Sequence, residues 1–205
     1  MAVSSLFAFW AVAALLIIVP GADWAFTLSA GVAGRSVLPA VGGLTLGYAL
    51  VTSVVAAGVG ALVAGSPPAL TGLTLLGGAY LGWHGARTLA HPATVEVDAV
   101  VPAGRTLDTL VKGIGVSGLN PKGLLIFLAL LPQFTDPRGG WPVGAQIAVL
   151  GAAFTLTCAA FYLGLGTFAR TVLRARPSAA RAVGRLSGSA MIVIGVLLVV
   201  ERLAA

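Results

Sequence analysis

The chain has 205 residues, of which 58% are hydrophobic and only 9% charged, and its mean hydropathy is +1.02; these values lie outside the range of soluble domains and indicate an integral membrane protein. A formal net charge of +6 would suit a nucleic-acid partner only if the basic residues formed a stripe, but they are spread thinly and gather where apolar runs end, so no nucleic acid is expected. The single cysteine, Cys158, lies in the apolar run AAFTLTCAAFYLGLG, cannot form an internal disulfide, and reads as a small buried hydrophobe.

Six apolar stretches are each long enough to cross a bilayer, at roughly 4–33, 38–63, 69–90, 108–132, 142–169 and 185–203. No Lys or Arg precedes the first, so it is expected to be a retained span and not a cleaved signal. Within it, IIVPGADWAF places Pro20, Gly21 and Asp23 in succession. Proline lacks the N–H that continues a helix, glycine loosens the backbone, and aspartate is a favoured N-cap. The segment predicts two half-helices that meet at residues 20–23, with Asp23 capping a helix that restarts at Trp24.

The second span follows the short turn AGRSVLP, and AGSPPAL separates it from the third. A solvated connection at about 91–107 carries Glu96, Asp98 and Arg105. The fourth span contains GLNPKGLLIFLALLPQF, in which Asn120 is a good N-cap and Pro121 suits the first helical position, so a helix again restarts partway along. TDPRGGWP leads into the fifth span, and RARPSAAR into the sixth.

Lys and Arg are counted by loop to orient the spans, because positive loops stay cytoplasmic. With Lys122 set aside, nine fall on the side of the first, third and fifth connections (Arg35; Arg87, Arg105 and Lys112; Arg170, Arg174, Arg176, Arg181 and Arg185) and two, Arg138 and Arg202, on the other. Both termini are therefore expected outside. The Arg170 to Arg185 loop suits anionic membrane lipid.

A shift of 101 positions aligns Pro20 with Pro121 and Phe26 with Phe127, while GAYLGWHG and GSAMIVIG share glycine spacing at a shift of 110. The chain is thus expected to be a single domain, 1–205, built as two inverted three-helix repeats of about 1–95 and 105–205, an all-α integral membrane protein with helices 1 and 4 broken near the midplane. Its 28 glycines fit close helix packing and a homodimer.

Asp23 and Lys122 are the acid and the base that no loop accounts for. A charge within a span costs on the order of 3 kcal/mol on insertion scales, so a pair near two half-helix ends points to function. The plain alternative is that Asp23 caps a helix and Lys122 neutralises it or reaches for water. Trp24, Trp83, Trp141, Tyr48 and Tyr80 read first as interfacial anchors or packing residues. Trp24, beside the break, and Tyr48, facing it across a hairpin, are the aromatic candidates for substrate contact. His84 and His91 have no carboxylate or thiol at ligand spacing, so no metal site is expected.

These motifs resemble the LysE/RhtB family of bacterial amino-acid exporters. PGADW with the later GVAGR, GGAYLGWHGARTL, and NPK followed by LPQF are similar to that family in order and spacing over the whole chain. The resemblance implies an inner-membrane exporter of amino acids or related metabolites, driven by the proton-motive force, that is not an enzyme and needs no cofactor. It places the substrate at Pro20, Gly21, Asp23, Asn120, Pro121 and Lys122, with Gln133 in the closing LPQF, and makes Asp23 the proton-coupling residue. The chain departs from the family at Ala22, where a second proline is common.

Two other classes are weighed against this. A metal or other inorganic-ion exporter on a related six-helix fold calls for clustered Asp, Glu, His or Cys within the spans. A membrane-embedded transferase calls for a nucleophile with a base, or paired carboxylates with a metal. Neither pattern is found in the sequence, and no glycine-rich phosphate loop suggests ATP-driven transport.

Overall fold

The computed structural model describes residues 1–19, 21–32, 36–65, 67–90 and 105–172, with scattered positions from 185 to 203. Pro20, the 91–104 connection, the basic loop after Val172 and most of the sixth predicted span lie outside the described residues, as do the side chains of Tyr80 and His84.

Every described element is helical: α1 (Val3–Ile18), α2 (Ala22–Val32), α3 (Leu38–Gly65), α4 (Pro67–Ala90), α5 (Thr106–Gly118), α6 (Pro121–Leu125) and α7 (Val143–Val172). After α6 the chain continues through a π-helical turn, Ile126–Leu130, and a tight 3-10 turn, Leu131–Phe134. Pro132 explains this irregularity, since it cannot donate to the preceding turn and the chain widens ahead of it.

Among the described residues, α3 and α7 are long and apolar enough to cross a membrane alone, and two bent pairs qualify when each is taken as one span. The pairs are α1 with α2, bent by 60°, and α5 with α6 and its continuation, bent by 48°. The two expected helix breaks are therefore present. Val54, Leu76 and Leu156 are each about two-thirds or more exposed, as suits side chains that meet lipid.

The first break differs from expectation in one respect. The second half-helix begins at Ala22, which puts Asp23 inside its first turn, and the Asp23 carboxylate bonds to other helices and not to amides of its own. Asp23 is thus not the N-cap. At the second break Asn120 is extended (φ −67°, ψ 112°), its side chain accepts from the Lys122 amide, and Pro121 opens the helix, as expected.

Small residues bring α3 against α5. A Cβ on Gly113 would lie 2.9 Å from the Ala40 carbonyl oxygen and 2.9 Å from the Gly43 Cα, so the two backbones touch there. Gly47, one turn along α3, faces Ser117 and Ile114 in the same way. This crossing of small residues at four-residue spacing packs without help from a hydrophobic drive, which lipid does not supply. At the start of α7, fully buried Gln146 staples the preceding loop, accepting from the Asp136 amide at 2.9 Å and donating to the Asp136 and Trp141 carbonyls at 2.8 Å each.

Candidate substrate site at the two helix breaks

The two breaks, α3 and α7 converge on Asp23, which is 1% exposed. One carboxylate oxygen accepts the hydroxyls of Tyr48 from α3 at 2.5 Å and Tyr162 from α7 at 3.2 Å. The other accepts the Asn120 side-chain amide at 3.1 Å. Three donors surround a buried carboxylate, so its desolvation is offset by directed bonds of the stronger, charge-assisted kind.

Asn120 joins the halves of the chain. Its amide nitrogen donates to Asp23 while its oxygen accepts from the Lys122 backbone at 3.1 Å, which fixes the orientation of the side chain. The cap that starts α6 is therefore also a partner of the first break.

Lys122 is 4% exposed, and its ammonium does not donate to Asp23. Its Nζ donates to the carbonyl oxygens of Leu16 at 3.2 Å and Val19 at 3.0 Å, at the end of α1 where carbonyls lose their helical partners and the helix dipole is negative. Gly21 lines the same space: a Cβ there would lie 3.5 Å from Nζ.

Packing holds these groups in place. The Tyr48 ring stacks on Phe127, with centroids 5.9 Å apart, and meets Phe154 edge-on at 5.0 Å. Gly123 gives the phenol its room, since a Cβ there would come within 2.7 Å of the ring and 3.1 Å of the hydroxyl. Trp24 is buried and donates to the Ile17 carbonyl at 3.1 Å, which ties α2 to the end of α1 across the first break.

Of the residues expected at a site, Gly21, Asp23, Tyr48, Asn120 and Lys122 are brought together, Pro121 sets the start of α6, and Trp24 bonds across the first break. Gln133 is not part of this group: its side chain donates to the Ala129 carbonyl one turn back at 2.7 Å, and at about 1.5 Å per residue it lies roughly 16 Å along the chain from Lys122. Tyr162 is a further member of the group that no motif in the sequence singles out. Its signal is a phenol away from the ends of an apolar span, where a buried hydroxyl has to find a partner. Cys158 is buried with a free thiol. Among the described residues no group of three His, Cys, Asp or Glu is placed to hold a metal.

Apolar helices with two interruptions meeting at a buried charged centre define the class as a helical membrane protein of the transport type. The chain belongs to the LysE type translocator family, whose profile matches residues 14–202. It is 31% identical over 188 residues to an uncharacterized membrane protein of Vibrio cholerae, covering 89% of this chain and 90% of that one. It is similar to the homoserine/homoserine lactone efflux protein of Salmonella typhimurium, at 26% identity over 96% of both chains. The leucine efflux protein of Klebsiella pneumoniae is 27% identical, over 86% of this chain and 85% of its own. No solved structure gives a significant match.

Proposed function

We propose that this protein exports amino acids, or closely related metabolites, across the bacterial inner membrane in exchange for protons. The observation that carries this reading is the buried Asp23, Asn120 and Lys122 cluster, which offers one anion and one cation at the meeting of two helix breaks and so suits a zwitterion. Efflux relatives named for homoserine and for leucine support an amino-acid cargo.

In this scheme six spans form two inverted halves, with both termini outside. An amino acid enters from the cytoplasm with its carboxylate toward the half-helix N-termini and Lys122, and its ammonium toward Asp23. Rocking of one half against the other opens the site outward. Protonation of Asp23 there weakens its hold on the ammonium, and the proton rides inward on the return. Neutralising Asp23 by a substrate ammonium on one stroke and a proton on the other is what makes the exchange obligatory.

The test is an export screen. Cells loaded with dipeptides of each amino acid are compared, with and without the protein, for intracellular accumulation. Lower accumulation of one amino acid or a small set is expected; equal accumulation of all of them contradicts the reading.

A further inference from the structure

Lys122 and the two carbonyls that hold it support an inference that rests on the exporter reading. Because α1 stops at Ile18, Lys122 reaches the carbonyls at its end: Val19 lies at the cap, and the Leu16 carbonyl, which also accepts the Val19 amide at 3.2 Å, has a second lone pair for it; both residues are buried in the core. A lysine ammonium is a primary alkylammonium with three N–H donors, as is the α-ammonium of an amino acid. Two of those donors are taken by the carbonyls, at 3.2 and 3.0 Å, and among the described residues the third has no partner.

Asp23 is badly placed to receive an incoming ammonium by itself. A carboxylate has about four acceptor directions, and Tyr48, Tyr162 and Asn120 already fill three. A second set of acceptors is needed close by, and the end of α1 supplies it.

We propose that the Leu16 and Val19 carbonyls form a binding site for a primary ammonium, which Lys122 fills when no substrate is bound and which the α-ammonium of the exported amino acid takes in its place. Asp23 supplies the attracting charge and the carbonyls supply the direct bonds. The displaced Lys122 ammonium then pairs with the substrate carboxylate. Each buried charge keeps a partner throughout, because a zwitterion brings one charge of each sign. The bare site is never exposed without a cation, which closes the empty protein to inorganic cations.

The test has two arms. In the first, purified Lys122→Ala in lipid nanodiscs is melted with and without n-propylammonium, which should raise its melting temperature by several degrees and leave the wild type unmoved. An amino acid that the screen shows to be exported should shift the propylammonium dependence to higher concentration, while its N-acetyl derivative should not. The second arm uses the wild type, so it does not depend on the variant folding. The chain has two lysines, and exposed Lys112 serves as the internal control for labelling with methyl acetimidate. Exported amino acid should raise labelling of Lys122 relative to Lys112 severalfold.

If propylammonium does not stabilise a folded variant, or stabilises it without competition from the exported amino acid, the exchange is wrong and Lys122 is only a tie between α1 and α6. Unchanged or reduced Lys122 labelling contradicts it equally. The export screen judges the exporter reading separately, and either can fail while the other stands.

Discussion

Asp23 and Asn120, far apart in the chain, meet at 3.1 Å and tie the two helix breaks to each other. The same Asn120 starts α6, so the geometry of one break is transmitted to the other through a single side chain. A shift at either break has to be felt at both.

Asp23→Asn should abolish exchange while leaving a folded protein. The change removes the charge and turns one acceptor into a donor facing the donors of Tyr48, Tyr162 or Asn120, at a cost of about 1–3 kcal/mol in stability. Thermal melting reads the stability, and uptake into proteoliposomes reads the transport.

The two phenols should not be equivalent. Tyr48 holds Asp23 at 2.5 Å and Tyr162 at 3.2 Å, so Tyr48→Phe should lower transport more than Tyr162→Phe. Loss of a bond to a charged group, about 1.5–3 kcal/mol, corresponds to roughly tenfold or more in substrate affinity if the bond is needed for binding. Substrate affinities measured on the two variants decide the order.

Gly123→Ala should resemble Tyr48→Phe, because the new methyl group falls within 2.7 Å of the Tyr48 ring and displaces its hydroxyl from Asp23. Gly115→Ala is the matched control: a Cβ there meets nothing within 4 Å, and alanine in a helix gains up to about 1 kcal/mol over glycine. Transport by the first variant should fall while that of the second is kept.

Gly113→Val should destabilise the protein through packing alone. Its side chain would press on the Ala40 carbonyl and the Gly43 backbone, and neither can yield as a flexible side chain would. A loss of about 1–3 kcal/mol is expected, read as a lower melting temperature with substrate specificity unchanged.

Both helix breaks were legible in the sequence because proline, glycine and a capping residue act locally, and Asn120 caps as its type predicts. Asp23 lies at the break, as its sequence context implies, but is not its cap. Local preference offered it the amides of α2, but the hydroxyls of α3 and α7 and the Asn120 amide outcompete them. Tyr162 and the Leu16 and Val19 carbonyls were not legible, since their roles arise from chain segments brought together only by folding, and a backbone carbonyl has no signature in sequence. Gln133 shares a motif with the site residues yet bonds within its own turn, which shows that a motif can span more than one structural role.

In the proposed cycle Asp23 couples amino-acid export to proton entry. The direct measurement is proton movement in proteoliposomes carrying a pH-sensitive dye, recorded while the exported amino acid is added on one side. Substrate-driven proton movement in the opposite direction is expected for the wild type and none for Asp23→Asn. Amino-acid flux at the wild-type rate in Asp23→Asn, or wild-type flux with no accompanying protons, would contradict it.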